Sequence, residues 1–136
     1  MKFYSTKGRV IKLDLRPSRW PRRSEEDCKS KLQWGVSSII GEMYPHDVIL
    51  EEFFVPGDHL YIDFFLPRRK LAVEVHGQQH YSYNPYFHGS KENFLKSLER
   101  DQRKVEWCGM NNIDLIVIKY DEKEDEIRLK LKNDKH

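Results

Sequence analysis

Residues 60–66 read LYIDFFL and residues 71–76 read LAVEVH, with the tetrapeptide Pro67-Arg68-Arg69-Lys70 between them. Both stretches are rich in the β-branched, aromatic and aliphatic residues of strands, and proline and a charge run bound them. We therefore predict strands over 60–66 and 71–75. A third such stretch, 48–55, ends at the turn sequence Pro56-Gly57-Asp58. Together the three stretches predict a three-strand meander.

Helices are predicted on both sides of these strands. Ser24 followed by three acidic residues is typical of a helix start, and the apolar residues beyond it recur with the 3.6-residue period of one helix face. This pattern predicts a helix over 24–44, with Leu32, Val36, Ile39, Ile40 and Met43 packed on the sheet. A helix from Ser90 to Met110, a strand over 113–118 and a short helix over 122–131 complete the prediction. The order predicts an α/β sandwich with a mixed β-sheet, a meander plus a further strand, flanked by helices.

Length and composition limit the class of protein. The chain has 136 residues, of which 38% are hydrophobic and 34% charged, so it suits one globular domain and not a disordered chain. Its apolar runs are far shorter than the roughly 20 residues that cross a bilayer. The first residues lack the pattern of a secretory signal, so we expect the host cytosol. With two cysteines only, Cys28 and Cys108, reduced thiols are expected.

Charge is concentrated at the start of the chain. Residues 1–23 carry eight basic residues and one acidic residue, a net charge of +7, which leaves −5 for residues 24–136. Phe3, Tyr4 and Trp20 are interleaved with these cations, a combination typical of nucleic-acid binding. The candidate DNA contacts are Lys7, Arg9, Arg16, Arg19, Arg22 and Arg23. A solvated basic hairpin or tail is the alternative.

A second aromatic group lies in the loop that we expect over 77–89. It comprises Tyr81, Tyr83, Tyr86 and Phe87. Aromatic rings in such a loop either stack on bases or pack against each other, and packing is the more ordinary outcome.

Two acidic residues interrupt the predicted strands. Side chains alternate along a strand, so Glu74 and His76 share one face, and Asp63 lies within the neighbouring strand. A carboxylate in an apolar strand is costly unless it is paired or bound to a cation. Alone, each acid is explained by a salt bridge or an edge position. Together they favour a Mg²⁺ site, because Mg²⁺ prefers hard oxygen ligands.

The histidines of the sequence raise the alternative of a zinc site. His76 and His80 are four residues apart, and His88 follows. A structural zinc site usually has four cysteine or histidine ligands at close spacing, so two histidines make a weak zinc motif. His88 keeps that alternative open.

The segment from Tyr61 to Tyr81, YIDFFLPRRKLAVEVHGQQHY, resembles the PD-(D/E)XK nuclease superfamily. Within it, the segment is most similar to the very-short-patch-repair-like (Vsr-like) endonucleases, which include some phage homing endonucleases. The superfamily pattern has an Asp in one strand and Glu-x-Lys at the end of the next, and here Asp63 is followed by Glu74-Val75-His76. Histidine in place of lysine, then a glycine, then a second histidine, matches the repair-like branch. The resemblance extends over roughly residues 30–120.

The resemblance implies a restriction-endonuclease-like fold over residues 24–136, with a basic arm over 1–23. It implies that Asp63, Glu74 and the Val75 carbonyl ligate Mg²⁺, for which Mn²⁺ can substitute. It further implies that His76 activates or positions a metal-bound water and that His80 acts on the leaving group or contacts phosphate. In the family a later Asp orients one histidine. Asp101 is the matching candidate, and Lys104, a further DNA contact, lies one helical turn beyond it.

One position departs from the family pattern. Relatives in the family carry an acidic residue on the flank of the first helix, and Gln33 matches that position here. Glutamine can orient water but supplies no charge. Glu42 lies on the opposite flank, so we expect it to face solvent.

The sequence thus predicts a Mg²⁺-dependent DNA endonuclease, of phage homing or repair type, that hydrolyses phosphodiesters. A small single domain has little surface for reading a long sequence, so a homodimer or recognition of DNA structure is expected. Alternatives are a DNA-binding module on the nuclease fold that has lost catalysis, a structure-selective resolvase or an RNA-directed nuclease, and a general interaction protein with an exposed polar strand face.

Overall fold

The structure is a computed structural model that describes residues 1–81, 84 and 88–132. Within these residues the chain forms six strands and three α-helices. The strands are β1 (Lys2–Tyr4), β2 (Val10–Lys12), β3 (Leu50–Val55), β4 (Leu60–Leu66), β5 (Leu71–His76) and β6 (Asp114–Lys119). The α-helices are α1 (Lys31–Met43), α2 (Lys91–Met110) and α3 (Glu124–Lys132).

The strands form two sheets. The larger has the order β3-β4-β5-β6, in which β3, β4 and β5 are antiparallel neighbours and β6 lies parallel to β5. Strands β1 and β2 form a separate two-stranded hairpin, with no further strand partner among the described residues. The predicted α/β class and the mixed sheet, a meander plus one further strand, are confirmed.

Both faces of the larger sheet are covered. One face packs against α1 and α3, where Val36, Ile40 and Leu131 are buried with Leu71 and Val73 of β5. Residues of α2, the N-terminal hairpin and the segment after it cover the other face, with Ala72 of β5 in the same cluster. The alternation predicted for β5 is therefore confirmed, and Glu74 lies on the face that α2 covers.

Helix α1 begins later than predicted. The prediction of a helix start at Ser24 is wrong, because the Ser24 hydroxyl donates to the Asp27 carboxylate at 3.1 Å and the chain stays in turns up to residue 29. Ser30 caps the helix instead, and its hydroxyl accepts from the Gln33 N–H at 3.0 Å. Lys29 therefore lies just ahead of the helix, beside the sheet.

Helix α2 begins as predicted. The Ser90 hydroxyl accepts from the Asn93 N–H at 3.1 Å, and the helix runs to Met110. Near its carboxyl end Trp107 is fully buried. Asn111, which follows the helix, accepts from the Tyr4 N–H at 2.7 Å and donates to the Tyr4 carbonyl at 2.9 Å. The N-terminal hairpin is thus fastened to the end of α2.

The basic segment 1–23 is packed against the rest of the chain. Phe3 is 1% exposed and Trp20 is 8% exposed, and both belong to the cluster around Phe53 and Trp107. Burying an aromatic side chain of this size stabilises a fold by roughly 1.5–3 kcal/mol. Phe3 and Trp20 are consequently unavailable to stack on bases, whereas Tyr4 is exposed.

None of the helices in the described part of the chain has the length and apolar character that crossing a bilayer requires.

Candidate functional site

Strands β4 and β5 separate at the two acidic residues. Backbone pairing runs from Leu66–Leu71 to Phe64–Val73, and Asp63 and Glu74 come next. At this point the carboxylate side chains, and not the backbone carbonyls, accept hydrogen bonds from the backbone N–H groups. The Asp63 N–H donates to Glu74 Oε2 at 2.7 Å, and the Val75 N–H donates to Asp63 Oδ2 at 2.7 Å. The two carboxylates are thereby fixed side by side, and both are buried.

A lysine faces the second oxygen of each carboxylate. Lys104 of α2 donates from Nζ to Glu74 Oε1 at 2.5 Å. Lys29 Nζ lies 3.6 Å from Asp63 Oδ1. The Lys104 side chain is only 15% exposed and that of Lys29 is 53% exposed. Glu74 is therefore paired with a mostly buried cation and Asp63 with a half-exposed one.

The electrostatics of the pair favour a further positive charge. Burial, and then the nearby charge of Asp63, raise the pKa of Glu74 against the opposing effect of Lys104. Burial works to lower the pKa of Lys29, but the charges of Asp63 and Glu52 outweigh it and raise the pKa. Two adjacent carboxylates in a partly desolvated site repel each other, and a bound cation would stabilise their charged forms.

These residues line a cleft of about 470 Å³. Its wall includes Lys29, Gln33, Asp63, Glu74, His80 and Lys104. His76 instead lines a smaller cavity of about 160 Å³ on the α2 side, together with Glu74, Asp101 and Lys104. Of the two histidines, His80 is therefore the one in the wall of the acidic cleft.

The two histidines stack on each other. His76 ends β5 and His80 lies in the short 3₁₀ turn Gln78–His80. Their ring centroids are 4.0 Å apart and the ring planes differ by 6°. His80 Nδ1 lies 3.1 Å from Asp101 Oδ2, so Asp101 orients His80. The Tyr81 hydroxyl lies 3.4 Å from His76 Nδ1.

The surroundings of His76 and Asp101 shift the pKa values of both residues. Burial, and then the charge of His80, lower the pKa of His76 to about 4, so His76 is neutral at pH 7. Burial works to raise the pKa of Asp101, but the hydrogen bond and charge of His80 outweigh it and lower the pKa. Asp101 is therefore ionised, and because an ionised carboxylate only accepts hydrogen bonds, His80 Nδ1 donates to it at 3.1 Å.

Two groups of side chains carry atoms that can ligate a metal ion. His76, His80 and Asp101 have ligand atoms within 4.8 Å of one another. An imidazole binds a metal in its ring plane, so two nearly parallel stacked rings need a ring rotation before they share one ion. Asp63 and Glu74 present carboxylate oxygens, the donors that Mg²⁺ prefers. The acidic pair fits Mg²⁺ without such a rotation.

Most residues predicted for the site lie around the cleft or the neighbouring cavity. Gln33 is buried, but its amide donates to Glu51 at 2.9 Å and to Glu52 at 3.1 Å. It therefore positions other acids. Glu42 is exposed and pairs with Arg128, so the prediction that it faces solvent is confirmed.

Sequence reasoning missed Lys29, Glu51 and Glu52. Glu51 is buried and accepts from the Arg23 N–H at 2.7 Å as well as from Gln33. Both glutamates interrupt an apolar strand, which is the same signal that identified Asp63. Lys29 carries no local signal, because only the tertiary fold brings its turn to the sheet.

The basic residues of segment 1–23 differ in availability. Lys7, Arg9, Arg16 and Arg19 are exposed. Arg22 is engaged by α1, since its Nη2 donates to the Ser37 carbonyl at 2.7 Å and to the Ser37 hydroxyl at 2.9 Å.

The predicted aromatic loop lies mostly outside the described residues. Tyr81 is exposed, and its ring centroid is 6.1 Å from that of Tyr120. Tyr83, Tyr86 and Phe87 are not among the residues that the structure describes.

Comparison with known proteins finds partial relatives. No family model and no solved structure matches the chain. Uncharacterized protein 307L of Invertebrate iridescent virus 6 is 44% identical over 62 residues, which cover 46% of this chain and 32% of that protein. Uncharacterized protein 033L of Invertebrate iridescent virus 3 is 39% identical over 66 residues, 48% of this chain and 34% of that protein. The chain is thus similar to about a third of the length of two larger viral proteins whose names state no activity.

Proposed function

We propose that this chain is a Mg²⁺-dependent DNA endonuclease with a restriction-endonuclease-like fold, similar to the very-short-patch-repair-like branch of the PD-(D/E)XK nucleases. The observation that carries the proposal is the pair of buried carboxylates, Asp63 and Glu74, fixed by reciprocal hydrogen bonds where β4 and β5 separate. A fold that needed these acids only for stability would gain more from apolar residues there.

The donor set suits the cation. Asp63 and Glu74 would hold Mg²⁺, with the Val75 carbonyl as a third oxygen, and Mn²⁺ would replace it. When bound, such an ion polarises a phosphodiester oxygen and makes water a better nucleophile.

The histidines supply the proton chemistry. His80 is oriented by Asp101 at 3.1 Å and lines the acidic cleft, so its Nε2 is the group that exchanges a proton with water or with the leaving oxygen. His76 is neutral at pH 7 because burial lowers its pKa to about 4. It stacks on His80 with ring centroids 4.0 Å apart, and it would help to position the attacking water through His80.

Cations are available for the DNA backbone. Lys29 lines the cleft and is half exposed, whereas Lys104 lines it but is paired with Glu74 and adds positive charge without a free contact. Lys7, Arg9, Arg16 and Arg19 are exposed on the N-terminal segment. Phosphate contacts of this kind give affinity without sequence preference. Specificity then requires a homodimer or a distorted DNA structure, and the setting that we propose is a phage homing or repair nuclease in the host cytosol.

A second candidate is a DNA-binding module that has lost catalysis. Two observations favour it: Lys104 already neutralises Glu74 at 2.5 Å, and Gln33 stands where the family has an acid. In such a module the lysine replaces the metal permanently. The two candidates differ in whether DNA is cut.

The test is a cleavage assay with Mg²⁺, Mn²⁺ or EDTA. Substrates are supercoiled plasmid, linear DNA, mismatched, flapped and four-way-junction duplexes, and an RNA duplex. The proteins are wild type, Asp63→Asn, His80→Ala and, as a charge-matched control on the exposed side of α1, Glu42→Gln. We expect metal-dependent cutting by wild type and Glu42→Gln, and loss of at least about 100-fold in the two site variants.

Each outcome separates the candidates. Cutting of junctions alone identifies a resolvase, and cutting of RNA alone identifies a ribonuclease on the same scaffold. Tight DNA binding without cutting under either metal supports the module that has lost catalysis. Neither binding nor cutting refutes both and leaves an interaction protein.

A further inference from the structure

Glu52 lies on the neighbouring strand, where it lines a separate cavity with Glu51 and Tyr61, and Lys29 of the acidic cleft links it to Asp63. It lies in β3 between the backbone pairs Glu51–Phe64 and Phe53–Ile62, opposite Asp63 of β4. Its φ is 51°, in the left-handed region that a glutamate rarely adopts.

Both strands reverse their alternation at this point. Leu50 and Phe53 are three residues apart, yet both pack in one core cluster, and so do Ile62 and Phe65. Regular alternation would place residues three apart on opposite faces. The irregularity lies at Glu52 and Asp63, which are opposite each other in the register of β3 and β4.

One cationic nitrogen bridges the two carboxylates. Lys29 Nζ lies 3.2 Å from Glu52 Oε1 and 3.6 Å from Asp63 Oδ1. The Glu52 side chain is 13% exposed and that of Asp63 is 9% exposed, whereas Lys29 is 53% exposed. Two partly desolvated acids thus converge on a single positive charge, which is carried by a long and half-exposed side chain.

Gln33 holds Glu52 in this position. Its amide donates to Glu52 Oε1 at 3.1 Å and to Glu51 Oε2 at 2.9 Å. The amide nitrogen is therefore directed at the acids and does not face a cation. Where the family has a carboxylate on the first helix, α1 has Gln33, which orients Glu52. The negative charge is carried by Glu52 of β3 instead.

We infer that Glu52 supplies the acid that helix α1 lacks: together with Asp63 it holds the divalent cation or its water shell, and Lys29 occupies that position when the cation is absent. The inference rests on the proposed function, because it concerns the cation of the same cleft. It makes Glu52 a ligand or positioning residue, Gln33 a positioning residue and Lys29 a competitor of the ion.

The test measures Mn²⁺ binding without nucleic acid. Free Mn²⁺ is followed by electron paramagnetic resonance during titration of wild type, Glu52→Gln, Lys29→Met, Asp63→Asn and the control Glu42→Gln. Glutamine at position 52 keeps the shape and the acceptor for Gln33 but removes the charge. We expect Glu52→Gln to weaken binding by about 10- to 100-fold, as loss of a ligand-shell group does. Lys29→Met is expected to tighten binding, because it removes the competing cation, and Glu42→Gln to bind as wild type does.

The inference predicts weaker Mn²⁺ binding for Glu52→Gln and tighter binding for Lys29→Met, so it can be refuted even if one of the two variants folds poorly. Circular dichroism checks the fold of each variant. Unchanged binding in Glu52→Gln, or unchanged or weaker binding in Lys29→Met, overturns the role of Glu52 and Lys29. If Asp63→Asn loses binding in that same experiment, the proposed metal site itself stands. If wild type binds no Mn²⁺, both the inference and the metal-dependent function are refuted.

Discussion

Replacing Lys104 by methionine should destabilise the protein by an amount that depends strongly on pH. Lys104 Nζ is the partner of Glu74 Oε1 at 2.5 Å, and Glu74 is 2% exposed. Without Lys104 the folded protein must bury an unpaired carboxylate or keep it protonated. Breaking a buried ion pair at one partner costs about 3–5 kcal/mol when the remaining charge stays buried. Here protonation of Glu74 limits the charge-dependent part of the loss at pH 9 to about 1.4 kcal/mol, and one lost hydrogen bond adds about 1 kcal/mol.

The sign of the pH dependence follows from the direction of the pKa shift. Burial and the charge of Asp63 raise the pKa of Glu74 from 4.5 to about 8. Between these values the folded state binds more protons than the unfolded state, so stability falls as pH rises, by at most about 1.4 kcal/mol per pH unit. Lys104 lowers this pKa, so its removal extends the decline to higher pH. At pH 5 Glu74 is protonated in both proteins, and the loss shrinks to that of one hydrogen bond, about 1 kcal/mol.

The assay is urea unfolding in EDTA at pH 5 and pH 9, followed by tryptophan fluorescence. Lys96→Met is the matched control, since Lys96 pairs with Glu92 on the exposed surface of the same helix at 3.4 Å. It should cost less than about 1 kcal/mol at either pH. A Lys104→Met variant with the same loss of stability at both pH values, or no loss at pH 9, would refute this reasoning.

Three further outcomes are expected. Phe3→Ala should lower the free energy of unfolding by about 3–5 kcal/mol in urea titration, because its ring lies 5.4 Å from that of Trp107 in the core; an effect below 1 kcal/mol would mean that the hairpin is not docked. Gly57→Ala should cost about 1–2 kcal/mol by thermal unfolding, since Gly57 has a φ of 83° and an added Cβ would meet Ile11 Cδ1 at 2.5 Å. Burial and then the charge of Glu51 raise the pKa of Cys28 to about 11, so alkylation of native Cys28 at pH 8, followed by mass spectrometry, should be about 100-fold slower than in the unfolded chain.

Local chemistry was sufficient for much of the fold. The bounds of the strand over 60–66 agree with the structure, because proline and glycine turns fix where an apolar strand ends. The start of α1 was wrong because Ser24 and Ser30 are both good helix caps. The choice between them depends on the contacts of Lys29 and of residues 24–28 with β3, which local sequence does not encode.

The candidate site was predictable only where a polar residue contradicts its local pattern. Asp63 and Glu74 stand out because carboxylates interrupt apolar strands, and the structure brings them into contact. Glu52 also interrupts an apolar strand, but its position beside Asp63 depends on a left-handed backbone conformation that residue spacing does not predict. Lys29 pairs with residues from two other elements, a long-range contact that follows from the tertiary fold alone.

Helix α2 has a consequence for how the two charged regions influence each other. Asp101, Lys104, Trp107 and Asn111 recur every three or four residues on one side of α2 and its C-cap, and they contact His80, Glu74, the core and β1 in turn. Over these ten residues the helix spans about 15 Å as one stiff unit. If a ligand on the basic hairpin shifts α2, it also shifts Asp101 and Lys104, which hold His80 and Glu74. By thermodynamic linkage, a polyanion on the hairpin and a cation in the cleft would then alter each other's affinity by one and the same factor.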